Sequence, residues 1–387
     1  MISPMSVYFD HNATTPLAPE ALATMARALG DDFGNPSSVH QYGQRAKGLL
    51  DEARSAIAEL IDGDSSEIVF TGSGTEADNL AIRGAADALE SPGRKHLITS
   101  AFEHEAVLNT VKALGKRGWR VSFLPVGASG IVEPDTLEGA MTDDTAIVSV
   151  MHANNEIGTV QPIRALASTA HAHGALFHTD AVQSAGKIPV SVRDLGVDLL
   201  SISAHKINGP KGAGALWIKR GVRLVPTMTG GKHERNRRAG TENVPGIAGF
   251  GAAAAVSRTK LAADGVRLAA LRDRLEQGVL ARIEGTQVNG ATTSRVPNTT
   301  NISFDHVEAE ALLIALDLEG FAVSTGSACS SGTLEPSHVL RAMGLSPHRA
   351  QNSIRFSLGQ GNDESQVDAL LAKLPAIVEK LRSLVRR

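Results

Sequence analysis

The sequence predicts an α/β protein: a mixed, mostly parallel central sheet covered by helices on both faces, joined to a smaller α+β domain. Three observations carry this prediction. Short apolar runs that do not alternate with polar residues recur between Glu67 and Ile218, as strands buried on both faces do. Amphipathic helical patterns separate several of them, the signature of strand–helix–strand units. Beyond about residue 258 the texture changes to a Leu/Arg-rich helix, short strands, turns and a terminal helix ending RSLVRR.

In chain order, Ala46, Leu49, Leu50, Ala53, Ile57, Leu60 and Ile61 fall on one face of a helix. Glu67-Ile68-Val69-Phe70 follows as a strand, and a helix begins near Thr75. Buried strands are expected at 96–99, 121–126, 146–151, 175–179, 197–203 and 213–218, with helices at 104–117 and 162–173 between some of them. The later strands come in quicker succession, which suits a mixed sheet.

The chain has 387 residues, enough for two domains. Its formal net charge of −3 lacks the basic surplus of a nucleic-acid binder. No apolar run approaches the roughly 18 residues of a membrane span. The first residues, MISPMSVYFDHNATTP, do not read as a secretory signal. Aromatic residues are only 4%, so an aliphatic, alanine-rich core is expected.

Phe70-Thr71-Gly72-Ser73-Gly74-Thr75-Glu76-Ala77 lies where a strand hands over to a helix. Glycines there let backbone N–H groups approach a ligand, and the positive end of the helix suits a phosphate. The stretch also satisfies G-x-G-x-x-A, so a nicotinamide dehydrogenase competes, with Glu103 as its somewhat late acidic residue. No P-loop lysine follows, which argues against ATP hydrolysis.

Two further strand ends carry reactive residues. ALFHTDAVQ delivers Asp180 and Gln183; VDLLSISAHKINGPKG delivers Ser203, His205 and Lys206. A lysine after a buried strand is desolvated toward its neutral amine, which attacks aldehydes. Such a lysine also commonly snorkels to the surface, and an aspartate at a strand end also serves as a helix cap or ion-pair member. Open α/β sheets, however, bind ligands at the carboxyl ends of their strands. A phosphate cradle, an amine and an acid together match pyridoxal phosphate, whose ring nitrogen needs a carboxylate to hold its proton. His104, at a helix start just past a strand, could stack on a flat ring and move protons. His171 and His173 read as a solvated helix end, without metal-ligand spacing.

Ser324-Thr325-Gly326-Ser327-Ala328-Cys329-Ser330-Ser331-Gly332 holds the only cysteine. One cysteine forms no intramolecular disulfide and suits a cytoplasmic location. Lone cysteines are ordinarily small buried hydrophobes. The polar, glycine-containing flanks oppose that and suit a mobile nucleophile.

With these residues in view, the chain resembles the pyridoxal-phosphate-dependent cysteine desulfurases of group I, the NifS/IscS-like kind. The similarity covers YFDHNATTP, FGNPSSVH, EIVFTGSGTEADNLAI, EHEAVLNT, SVMHANNEIGTVQPI, FHTDAVQSAGK, SISAHKINGPKGAGAL, RRAGTENVPGI, STGSACSSG, LEPSHVLRAMG and SIRFSLG. RRAGTENVPGI and the cysteine loop are most similar to the nitrogen-fixation branch. Thr325 and Ser330 depart from relatives that often carry Ser and Thr there.

The resemblance implies fold type I of the pyridoxal-phosphate transferases, the aspartate-aminotransferase-like fold. A large cofactor-binding domain would span 16–257; residues 1–15 and 258–387 would form the small domain, carrying the cysteine loop 324–332. Lys206 would be the Schiff-base lysine, Asp180 would pair with the ring nitrogen, Gln183 would contact the ring hydroxyl, and His104 would stack on the ring. Gly74, Thr75, Ser203 and His205 would hold the phosphate, with Thr241 reaching the phosphate of the neighbouring subunit of a homodimer. Asn155 and Arg355 would bind the substrate carboxylate; Asn155 would also border the cofactor.

Cys329 would take the sulfur of L-cysteine as a persulfide, leaving L-alanine. It would pass the sulfur to an iron–sulfur scaffold or other acceptor protein, including one serving nitrogenase clusters, and Cys329 would transiently share an iron–sulfur ligand position with the scaffold. Selenocysteine lyase and aminotransferase activities are the alternatives within this cofactor class. Neither nucleic acid nor membrane is an expected partner.

Overall fold

The computed structural model describes residues 6–90, 94–326 and 336–385. Its centre is a seven-stranded sheet in the order Ile68–Thr71, Gly214–Ile218, Leu199–Ser203, Leu176–Asp180, Thr145–Ser149, His96–Ser100, Arg120–Leu124. Both pairings of Gly214–Ile218 are antiparallel and the other four are parallel, so that strand alone runs against the rest. The carboxyl ends of the other six strands therefore share one edge. The expected mixed, mostly parallel sheet is present, with strand bounds within a few residues of the sequence reading.

One strand differs in kind. The run at 121–126 was expected to be buried, but Arg120–Leu124 closes the sheet as an edge strand and is mostly half-buried or exposed. Phe123 is 43% exposed. With a neighbour on one side only, apolar composition does not guarantee burial.

Helix Gln41–Leu60 buries the face read from the sequence, and the His40 side chain caps it by accepting from the Gly43 N–H. It packs on the 39-residue helix Val244–Arg282 at close range: a Cβ added to Gly251 would stand 2.4 Å from Ala53 Cα. The texture change at 258 falls inside this long helix. Its first turns, from Val244 to Ala254, join the core under the large sheet; Leu268, Leu271, Leu275 and Val279 join a second core.

That second core gathers the antiparallel strands Thr286–Val288, Thr299–Phe304 and Ser353–Ser357 with helices Ala309–Leu318 and Glu364–Val385. Phe9, from the N-terminal segment, is fully buried in it. Val7–Tyr8 pairs in parallel with Phe321–Ala322, and Asp10 bridges to Ser357. The N-terminus thus runs along this second unit before crossing the carboxyl edge of the large sheet. No described helix is long and apolar enough to cross a membrane.

Candidate active site

Along that shared edge lies a cavity of about 390 Å³. At one wall, the strand Ile68–Thr71 turns through Gly72 into helix Gly74–Leu89. The Ser73 hydroxyl caps the helix by accepting from the Glu76 N–H, and the Glu76 carboxylate accepts from the Gly72 N–H at 2.7 Å while pairing with Arg238. This fixes the turn and leaves Ser73, Gly74 and Thr75 lining the cavity at the positive helix end. A Cβ at Gly74 would come 2.9 Å from Val182 Cγ2 and 3.3 Å from Ser203 Cβ, so only glycine keeps this approach.

Lys206 follows the strand Leu199–Ser203 in a single tight turn, and its Nζ donates to the carbonyls of Asn12 (2.6 Å) and Ala13 (2.8 Å). Burial, aided by the Arg355 charge and opposed by Asp180 and Asp10, lowers its pKa to about 8. The amine thus reaches its neutral, nucleophilic form far more readily than an exposed lysine does. Cofactor association with cofactor-free protein is accordingly expected to accelerate as pH rises through about 8, read as the rate at which a visible band appears. A rate that is level from one unit below that value to one unit above would contradict it.

Asp180 ends the strand Leu176–Asp180, is 5% exposed, and accepts from the Val182 N–H at 2.8 Å. Burial raises its pKa, and the charges of His104 and Lys206 act against the rise. A buried carboxylate so placed lacks a full counter-charge, which a protonated ring nitrogen would supply. His104 caps helix Glu105–Lys116, its Nδ1 accepting from the Ala106 N–H at 3.1 Å, so a neutral ring carries its proton on Nε2. Burial lowers the His104 pKa, the Asp180 charge acts against the drop and the Lys206 charge adds to it. His205, lowered to about 4 by burial and nearby lysines, contacts the Thr14 hydroxyl through Nδ1.

The structure also brings Gln183, Asn155 and Arg355 to the cavity. Gln183 is engaged on both ends of its amide: Nε2 donates to the Asn12 carbonyl, and Oε1 accepts from Lys187 Nζ. Arg355, 3% exposed, donates to the Asn155 carbonyl (3.0 Å) and pairs with Asp10 at 2.6 Å. Thr241 is exposed and does not line the cavity of its own chain. Cys329 lies outside the described residues.

Some participants carried no individual signal in the sequence reading. Asn12 is the hub: besides serving Lys206 and Gln183 through its carbonyl, its side chain meets Lys187, Thr299 and Asn298. Asp78, buried at the cavity, is pushed well up by burial and then by Asp180. The quoted DHNATTP and GTEADN strings contained both residues; nothing local marks an asparagine as a hub.

Glu103, weighed above as the acidic residue of a nicotinamide dehydrogenase, is fully buried and accepts from the Ser100 hydroxyl and the Met151 N–H. Burial pushes it up to about 8. Fully buried and not lining the cavity, it is unsuited to a nucleotide, and the dehydrogenase reading falls with it. His171 and His173 are not merely solvated: they meet Asp198 at 2.7 Å and Glu138 at 3.0 Å, carboxylates distant in sequence. Among the described residues no group of three such side chains could hold a metal.

Ser203 Oγ, Asn155 Oδ1 and Arg355 Nε, all from cavity-lining residues, are buried without hydrogen-bond partners among the described residues. Buried polar atoms are almost always satisfied, so these await a ligand. A hydroxyl beside a helix N-terminus, an amine and an under-compensated carboxylate in one cavity fit a phosphorylated pyridine aldehyde.

The comparisons agree with this chemistry. The class-V aminotransferase family model matches residues 7–370. The chain is 49% identical over 378 residues to a cysteine desulfurase of Trichormus azollae, covering 98% of this chain and 94% of the relative. A solved NifS-like protein superposes with a TM-score of 0.92 at 37% identity, covering 97% of this chain and all of the other. SspA, solved in complex with cysteine, does so with a TM-score of 0.80 at 36% identity, covering 91% and 98%. By sequence, fold and the chemistry of its cavity, the chain belongs to the class-V aminotransferases and, among them, to the pyridoxal-phosphate-dependent cysteine desulfurases.

Proposed function

We propose that this enzyme moves the sulfur of L-cysteine to Cys329, leaving L-alanine, through the residues assembled at the cavity. The observation that carries the reading is the placement of Lys206 and Asp180 in one cavity at the carboxyl edge of the sheet. Bound pyridoxal phosphate supplies an electron sink that weakens the substrate's carbon–sulfur bond. Gly74, Thr75, Ser203 and His205 hold its phosphate, and Asp180 holds the proton on its ring nitrogen. His104 covers the ring, and Gln183 serves the ring hydroxyl, sharing its amide with Asn12 and Lys187.

Asn155 and Arg355 orient the substrate carboxylate; Asp10 fixes the guanidinium for that task. Lys206 Nζ would be the amine that engages the cofactor's aldehyde and the group that would move protons at the substrate. The solved complex of SspA with cysteine supports the substrate.

A homodimer is part of the proposal. Thr241 is exposed and away from its own cavity, as a residue serving a second copy would be. The proposed destination of the sulfur is iron–sulfur cluster assembly, in keeping with the IscS name of a relative 49% identical, nitrogenase clusters included, with Cys329 as the residue that meets the scaffold. A single cysteine suits the reducing cytoplasm.

Purified protein given L-cysteine and a thiol reductant is expected to form alanine and sulfide in equal amounts. Pyruvate and ammonia in place of alanine would overturn the reading. Alanine from L-selenocysteine but none from L-cysteine would reassign it as a selenocysteine lyase.

A further inference from the structure

Glu156 follows the cavity residue Asn155 but does not itself line the cavity. It is 1% exposed. Its backbone is held on both sides: the N–H donates to Asn154 Oδ1 at 2.8 Å, and the carbonyl accepts from Asn301 Nδ2 at 3.3 Å. The carboxylate therefore projects from a rigid base.

Two stretches far away in sequence converge on that carboxylate. Ser337 donates its hydroxyl to Glu156 Oε2 at 2.5 Å. The same hydroxyl accepts from the Leu340 N–H, capping the short helix His338–Ala342, while His338 Nε2 reaches the Glu103 carbonyl. From the other direction comes Gly326, with φ +90°. A Cβ there would stand 3.1 Å from both Glu156 Cγ and Oε2. The Gly326 N–H donates to Ser324 Oγ, and Ser324 is bridged through its backbone to Arg355, the proposed carboxylate ligand. Gly326 precedes Cys329 and Ser337 follows it.

We propose that Glu156 is a positioning residue for sulfur transfer: its carboxylate bonds the Ser337 end of the cysteine-bearing segment and packs under the Gly326 end, on the floor that carries Asn155 and Arg355. The tie is internally consistent. Burial raises the Glu156 pKa, and the Ser337 hydroxyl, followed by His338 and Arg355, acts against the rise. Each of these groups belongs to one end of the segment or to the substrate site. A side chain that only filled space would not need a hydroxyl bonded on one side and a glycine, whose missing Cβ leaves it room, on the other.

The inference rests on the reading of Cys329 as sulfur acceptor. Its test uses the holoenzyme carrying Glu156→Gln, Ser337→Ala, or both. Because the chain has one cysteine, thiol labelling and intact mass report persulfide on Cys329 alone. Misplacing a reacting group by about an ångström costs roughly ten- to a hundredfold in rate. Each single variant is expected to slow single-turnover persulfide formation by that factor, and the double variant no more than the slower single. The cofactor band and the cysteine concentration for half-maximal spectral change should stay at wild-type values.

Wild-type persulfide rates in both single variants would overturn the proposal. So would multiplicative losses in the double variant, or a parallel loss of the cofactor band, which marks a merely structural role. Wild-type enzyme that forms alanine but no Cys329 persulfide would instead remove the underlying reading, and the tie with it.

Discussion

Lys206→Ala is expected to lose the reducible link to the cofactor, with its visible band, and to slow cysteine turnover by at least about 10³-fold. The size follows from the setting. Lys206 Nζ sits on two backbone carbonyls in a desolvated wall and has a pKa of about 8. It is therefore the described amine suited both to engage the aldehyde and to move a proton at the substrate. Lys187 is also pushed well down by burial, but it is bound to Asn12 Oδ1 and Gln183 Oε1 and does not line the cavity. Lys206→Arg should be as inactive, since a guanidinium does not deprotonate in this range. Borohydride treatment followed by peptide mapping checks the claim. A cofactor adduct on Lys187 in the wild-type enzyme would overturn it.

Cys329→Ala should abolish sulfide release from L-cysteine, by more than about 10²-fold, while the cofactor band and its change on adding cysteine persist. No other cysteine exists in the chain to take over. Cys329→Ser separates nucleophilicity from size, because the hydroxyl fills nearly the same volume without attacking sulfur. Sulfide release at the wild-type rate in either variant would show that the acceptor is external.

These two predictions draw on different sources. Cys329 was conspicuous in the sequence, as a lone thiol among serines and glycines. The chemistry of Lys206 was only half visible there: a lysine after a buried strand suggested desolvation, but its carbonyl partners are nearly two hundred residues away, at Asn12 and Ala13. The same holds for Asp10, which holds Arg355 across a separation of 345 residues. The edge strand Arg120–Leu124 misled for a related reason, since its composition does not state how many neighbours it has.

The order of residues along the chain was enough to specify the alternation of strands and helices, the glycine turn into helix Gly74–Leu89, and the kinds of group that a phosphorylated pyridine aldehyde requires. These are short-range properties, set by side-chain periodicity and backbone freedom within a few residues. Which atoms meet was settled by folding alone: the Asn12 hub, the neutral-leaning Lys206, the unsatisfied Ser203 hydroxyl and the Glu156 tie to Ser337. Each depends on burial and on contacts between distant segments, and desolvation acts only once the chain has closed around the group.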